Sequence, residues 1–270
     1  MDLLNPPRLD KKAVKRAFNR SASDYDRCAV LQAEVQRRLI ERLDYLKVEP
    51  QWVLDLGCGT GQAITALGRK YRSAKVVGLD LAEAMLHQAS KQYRLFQRKR
   101  LINADLEKLP FQDDSFDLVF SSLALQWSND LRGAFRELKR VVRSGGVVMF
   151  STLGVNSLHE LRSSWSSIDP SPRVHQFMDM HDVGDVMLAA GLLQPVVDME
   201  EITMTYRDFD ALMQDIKGIG ASNAERNRSR GLMTPRRLKR LREAYRELAF
   251  DESSASYRAT YEVVYGHAWF

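Results

Sequence analysis

The 270-residue sequence predicts an α/β fold: a doubly wound, mostly parallel sheet in a single domain. Three observations carry that prediction. Between residues 50 and 152, short apolar runs alternate with stretches of helical periodicity. A glycine-rich turn, VLDLGCGTGQ (53–62), follows the first of those runs where a helix should begin. After residue 152 the rhythm loosens, and a last long apolar run closes the chain.

The elements follow in order. Residues 10–20 and 26–46 read as helices, the second with Leu31, Val35, Leu39 and Leu43 at helical spacing. Pro50 ends that region, and WVLDLG (52–57) reads as a short buried strand. A helix over 62–71, strand AKVVGLD (74–80), a helix over 82–92 and a short strand near 100–103 come next. Strand SFDLVFSS (115–122) and a helix over 130–142 then lead through the turn 143–146 into strand VVMFST (147–152). Beyond it, 157–168 and 180–190 look helical and PVVDMEEITMTY (195–206) looks like a strand. Helices over 207–220 and 234–249 form a lid inserted before the closing strand ATYEVVYGHAW (259–269).

Composition narrows the class. The chain is 44% hydrophobic, enough for a substantial core, and no apolar run approaches the ~18 residues of a membrane span. The N-terminus lacks the apolar stretch of a secretory signal, and Cys28 and Cys58 are the only cysteines, so a reducing cytoplasm is expected. Five scattered histidines and two unpaired cysteines give no metal-ligand spacing, so no metal is expected. Net charge is +5 with a pI near 9.2. Residues 8–20 and 207–247 each carry a net +5, leaving −5 for the rest, which suggests an acidic partner at those segments. A solvated, arginine-rich helix face is the plainer reading of the same pattern.

The glycine loop binds a ligand through close backbone approach at Gly57, Gly59 and Gly61. Asp80 ends the next strand 25 residues after Asp55, a spacing compatible with a dinucleotide or with a methyl donor. The run GCGTGQ ends on Gln62 where a dinucleotide motif has Gly or Ala. Asp55 separates the two. A carboxylate beside the loop repels a pyrophosphate and suits a ligand carrying an ammonium, as S-adenosylmethionine does.

With VLDLGCGTG in place, the core resembles class I S-adenosylmethionine-dependent methyltransferases in motif order and spacing across residues 50–152. That resemblance implies a Rossmann-like fold whose last strand runs antiparallel. It implies that Asp80, with Leu81, binds the ribose and that Met85 packs on adenine, in VVGLDLAEAML. It implies that Asp105 in NADLEKLPF takes the adenine amino group, with Leu106 beside it. SSLALQW (121–127) corresponds to the segment under the methionine moiety, which brings Ser121, Gln126 and Trp127 towards the donor and acceptor. Singly, Asp55 reads as a turn cap, Met85 as core filling and Asp105 as an N-cap.

The acceptor follows from the nucleophile. A carboxylate is already ionised at neutral pH, with a pKa of about 4, and needs no general base. The core shows no Asn-Pro-Pro-Tyr-type motif or paired cysteines, which favours such a ready-made nucleophile. AFNRSASDYD (17–26), SLALQWSNDLRGAFREL (122–138), RVHQFMDMHDVGD (173–185), DIKGIGASN (215–223) and TYEVVYGHAW (260–269) together resemble the malonyl-acyl-carrier-protein O-methyltransferases of biotin synthesis. The resemblance spans almost the whole chain.

It implies that the free carboxyl of a malonyl thioester is methylated, disguising it for elongation towards a pimeloyl precursor of biotin. Tyr25 stands where the family has an N-terminal tyrosine, and would close over donor and malonyl group; an ordinary packing tyrosine is the plain alternative. Arg173, His175 and Lys217, with Trp127 and Phe177, are the candidates for holding the malonyl group. Gln176 stands where many members have Arg, which leaves the identity of the carboxylate clamp open. Arg226, Arg228, Arg230, Arg236, Arg237 and Arg240 are candidates for docking the acidic carrier. Aromatic interleaving there is sparse, so nucleic acid is not expected, nor is a membrane.

The organisation implied is N-terminal helices capping the site (1–49), a donor-binding core (50–152), a late strand with helical lid and acceptor region (153–258), and a closing strand (259–270). A monomer is expected. Carrier protein and coenzyme A remain alternative thioesters. Two other readings stay in play: a methyltransferase of another small molecule, such as a quinone precursor or free dicarboxylic acid, and a respiratory complex I assembly factor of the same fold. The missing mitochondrial presequence speaks against the latter.

Overall fold

The computed structural model describes residues 8–92, 100–169, 171–221, 223–225 and 233–270. Eight strands form one sheet. β1 (Trp52–Leu56), β2 (Lys75–Asp80), β3 (Leu101–Asn103), β4 (Phe116–Ser122) and β5 (Val142–Leu153) are parallel. β8 (Ser256–Trp269) lies antiparallel between β5 and β6 (Leu193–Tyr206), giving the order β3-β2-β1-β4-β5-β8-β6. The two-residue β7 (Phe250–Asp251) pairs only with β8.

The apolar strand runs have a simple physical meaning, because both sheet faces are covered. Val53, Val76, Leu118, Phe120 and Val147 point into one core layer; Leu54, Val77, Val119 and Val148 point into the other. The first layer is closed by α3 (Val30–Arg42), α4 (Gln62–Lys70), α7 (His159–Ser166), α9 (Phe209–Gly218) and α10 (Pro235–Ala249). The second is closed mainly by α6 (Leu131–Val141) and α8 (Met180–Ala189), through Phe135, Leu138, Val183 and Met187. α5 (Glu83–Lys91) follows β2 and buries Met85, Leu86 and Ala89. No helix among the described residues is long and apolar enough to cross a membrane.

The structure departs from the sequence expectations at three places. The helix expected over 26–46 is broken at Ala29, leaving a four-residue α2 (Tyr25–Cys28) ahead of α3 and a 3-10 turn at 43–45. Tertiary contacts cause the break: the Thr60 hydroxyl in the glycine loop donates to Asp26 Oδ1 at 2.6 Å, and a Cβ on Gly218 of α9 would lie 2.4 Å from Cys28 Sγ. The turn expected at 143–146 lies within β5 as a bulge: pairing slips between Phe116↔Val142 and Leu118↔Val147, and Gly145 takes φ +77°. The expected lid helices differ in placement. α10 packs Leu241, Tyr245 and Ala249 into the core, with the Tyr245 hydroxyl donating to Arg258 O at 2.6 Å, whereas α9 reaches the site.

Candidate active site

The carboxyl ends of the parallel strands meet the N-terminal helix α1 (Lys11–Ser21) and α2 around a donor cavity. Gly57 and Gly59 line it with φ of +75° and +51°, which L side chains rarely adopt. A Cβ at position 57 would sit 2.3 Å from Ala124 Cβ, whereas at 59 it would project into open space. The loop is therefore pressed against the segment after β4 on one side and bare on the other. Asp80 holds it there: Oδ2 accepts from Gly59 N at 2.9 Å and Oδ1 from Ala82 N at 2.7 Å. Leu81, Met85, Asp105 and Leu106 line the same cavity. Lys11 of α1 reaches across it to Asp105 at 2.9 Å and Glu107 at 3.1 Å.

Asp55, next to last in β1, borders a small cavity of about 40 Å³ that it shares with Tyr25, Gln32, Gly57, Thr60 and Ser122. It is 1% exposed, and its Oδ2 has no hydrogen-bond partner. Burial, reinforced by the charge of Asp80, pushes its carboxyl up to about 8. A buried carboxyl beside a second acid needs a cation for stable ionisation. An amino-acid ammonium supplies that charge and a diphosphate does not. The orphaned Asp55 oxygen and the bare face at Gly59 thus fit S-adenosylmethionine.

A cavity of about 490 Å³ adjoins the donor site, and Phe18, Tyr25, Leu123 and Trp127 line both. Leu123 sits between them with φ +50°, a left-handed conformation imposed at the end of β4. Trp127 receives Phe18 edge-on at 5.2 Å and stacks on His175 at 5.7 Å, while Phe177 meets the far edge of His175 at 5.0 Å. Trp165, Met213, Ile216 and Tyr261 add apolar wall.

The three candidate cations differ sharply. The His175 Nε2 lies 3.3 Å from Gln126 O and its Nδ1 faces buried Glu225 at 3.5 Å, so the ring belongs to the wall. Arg173 donates through Nε and Nη2 to Asp169 Oδ2 at 3.0 and 2.7 Å, and its guanidinium lies 5.1 Å above Trp165. Lys217 is exposed at the mouth, and its ammonium has no hydrogen-bond or ion-pair partner among the described residues. Tyr25 lines both cavities and the small one beside Asp55. Burial, with Asp80 and Asp26 nearby, raises its hydroxyl well above the usual tyrosine range, so it is a neutral hydrogen-bonding group and not a base.

Several sequence-derived residues sit elsewhere. Ser121 is wholly buried under the site, its hydroxyl donating to Leu56 O at 2.9 Å; its neighbour Ser122 lines the donor side instead, because successive strand residues face opposite ways. Gln126 lines the acceptor cavity and not the donor cavity, its amide donating to Leu123 O at 2.7 Å. Gly61 lines neither; it caps α4, and a Cβ there would meet Ala89 at 2.9 Å.

On α10, Arg236 and Arg240 are exposed, whereas Arg237 pairs with Asp169 and thereby with Arg173. Arg226, Arg228 and Arg230 lie outside the described residues. Lys11, Gln32, Ser122, Leu123, Trp165 and Tyr261 escaped the sequence reading. Among them only Gln32 left a local signal, as a polar residue beside the apolar stripe of its helix.

No group of three or more His, Cys, Asp or Glu suited to a metal occurs among the described residues. Strand order, glycine loop and orphaned acid together define a class I S-adenosylmethionine-dependent methyltransferase. A family model described as a methyltransferase domain matches residues 54–150. The malonyl-acyl-carrier-protein O-methyltransferase of Halorhodospira halophila is 52% identical over 97% of this chain and 88% of its own length. That of Gallionella capsiferriformans is 45% identical over 97% and 91%. The chain belongs to the malonyl-acyl-carrier-protein O-methyltransferase family.

Among solved structures, the YcgJ protein from Bacillus subtilis superposes with a TM-score of 0.61 at 17% identity, covering 88% of this chain and 98% of that one. The [4+2]-cyclase SpnF superposes with a TM-score of 0.55 at 17% identity, covering 87% and 81%. A cyclase on the same scaffold shows that the fold alone does not dictate the reaction.

Proposed function

We propose that the protein transfers a methyl group from S-adenosylmethionine to the free carboxylate of malonyl-acyl-carrier protein, giving a methyl ester for elongation towards the pimeloyl precursor of biotin. The observation that carries this reading is the chemistry of the acceptor cavity. Its walls are mostly apolar and aromatic, Tyr25 is held neutral, the His175 ring is stacked on Trp127 with Nε2 at Gln126 O, and a cation stands at the mouth. Such a site suits a nucleophile that arrives ionised.

The donor supplies an electrophilic methyl on a positively charged sulfur. A carboxylate oxygen bonds to that carbon as the carbon–sulfur bond breaks, and no proton changes hands. Opposite charges are consumed in this step, so water exclusion by Phe18, Trp127 and Leu123 favours it. A cation against the reacting oxygen would stabilise the ionised reactant more than the transition state, in which that charge fades. Lys217, at the exposed mouth, instead guides the malonyl group in. Tyr25 hydrogen-bonds at the junction, Asp80 and Asp105 hold the nucleoside, and Asp55 takes the ammonium.

Arg236 and Arg240 offer charge to an acidic carrier, and Arg237 joins that surface through Asp169 to cavity-lining Arg173. Phe18, Tyr25, Trp165 and Met213 join Leu123 and Trp127 in the walls of the acceptor cavity. The test is to incubate the purified protein with S-adenosylmethionine and malonyl-carrier protein and to look by mass spectrometry for one added methyl on the malonyl group. Donor binding without methylation of either malonyl-carrier protein or malonyl-coenzyme A would sink the reading.

A further inference from the structure

Gln32 on α3 lines two cavities, the acceptor cavity and the small one beside Asp55. Its Oε1 is buried and, like Asp55 Oδ2, has no hydrogen-bond partner. Two orphaned acceptor oxygens thus border one cavity of about 40 Å³, continuous with the donor site through Tyr25, Gly57, Gly59 and Ser122. A space of that size admits a small polar group, and buried acceptors left unmatched carry a desolvation cost that a ligand donor removes. The Gln32 oxygen can only accept, as can both Asp55 oxygens once that carboxyl is ionised, so the complementary group is a cation with several N–H donors.

We infer that Gln32 is a donor-positioning residue, whose Oε1 accepts a hydrogen bond from the ammonium of S-adenosylmethionine while Asp55 supplies the opposing charge. This rests on the S-adenosylmethionine reading of the site. It assigns to an N-terminal helix, outside the glycine-loop core, the task of orienting the amino-acid end. Because Gln32 also borders the acceptor cavity, it ties the position of the donor to the wall that the malonyl group meets.

The test is calorimetric titration with two ligands, S-adenosylhomocysteine, which bears the ammonium, and 5′-methylthioadenosine, which lacks the amino-acid end. Gln32→Leu should weaken S-adenosylhomocysteine binding about tenfold, the size of one hydrogen bond to a charged group. Methylthioadenosine affinity should stay within about twofold in the same protein, which also certifies its fold. Gln32→Glu, which keeps an acceptor oxygen in place, should recover most of the loss. Equal weakening of both ligands, unchanged S-adenosylhomocysteine affinity, or a raised KM for malonyl-carrier protein with donor affinity intact would each overturn the assignment. Wild-type protein binding neither ligand would overturn the donor reading itself, a distinct outcome.

Discussion

The donor and acceptor halves of the site are built on different principles. The donor half hangs on rigid backbone: the ends of β1, β2 and β4 converge, glycines allow close approach, and Asp80 is pinned by two main-chain N–H groups. One of its acids stands ready for a group that the protein does not supply, the orphaned Asp55 oxygen, whereas Asp105 is paired with Lys11. The acceptor half is made of side chains from α1, α2, α7, α9 and the segment 172–177, and most of its polar groups are already engaged. The donor half thus keeps an unmet buried acid, and the acceptor half is a largely apolar chamber whose charged liners are Arg173, tied to Asp169, and Lys217 at the mouth. That division suits a reaction that consumes two opposite charges.

Asp55→Asn should break the contrast most strongly. Loss of the buried charge opposite the ammonium should weaken S-adenosylhomocysteine binding by about a hundredfold or more, read by calorimetry. The same change should raise the melting temperature of the ligand-free protein at pH 8. Asp55 has its carboxyl raised from 3.8 to about 8. Its contribution to stability is therefore full below the lower value and is lost as the pH rises through the higher one. Donor affinity runs the other way in wild-type protein and should tighten as the pH rises towards about 8, with proton release at neutral pH.

Gly57→Ala comes next. The added Cβ meets Ala124 and a left-handed φ together, which should cost about 2–3 kcal/mol by chemical denaturation. No substitution on the acceptor rim should approach that. Lys217→Ala should raise KM for malonyl-carrier protein about tenfold, with kcat within about twofold and donor affinity unchanged. A fall in kcat alone would move Lys217 from the rim to the reacting atoms. The smallest effect is expected from Arg236→Glu with Arg240→Glu: about threefold to tenfold weaker use of the carrier-linked substrate at low salt, fading as ionic strength rises. Equal loss with malonyl-coenzyme A would argue against carrier docking there.

The two halves also differed in how much of them could be read in advance. Strand boundaries from β1 to β4 were legible because each lies in a contiguous stretch whose local pattern has one physical use, whereas β5 begins at Val142, within the turn region expected before it. The break at Ala29 was not, since it answers to Thr60 and Gly218, far away along the chain. Nor was the choice between Ser121 and Ser122, where a one-residue difference of strand face sends one hydroxyl to Leu56 and the other to the cavity. His175, Arg173 and Lys217 looked equivalent as cations in a line of letters. Their partners Gln126, Glu225 and Asp169 made them different.

From its sequence alone this protein was determined to be an alternating α/β chain with a methyl-donor loop, because periodicity, glycine placement and a lone acid act over a few residues. Only the tertiary structure decided that Asp55 and Gln32 keep unmatched oxygens, and that Lys217 has no partner among the described residues. Hydrogen-bond satisfaction is a property of neighbours in space, and chain order does not encode it locally.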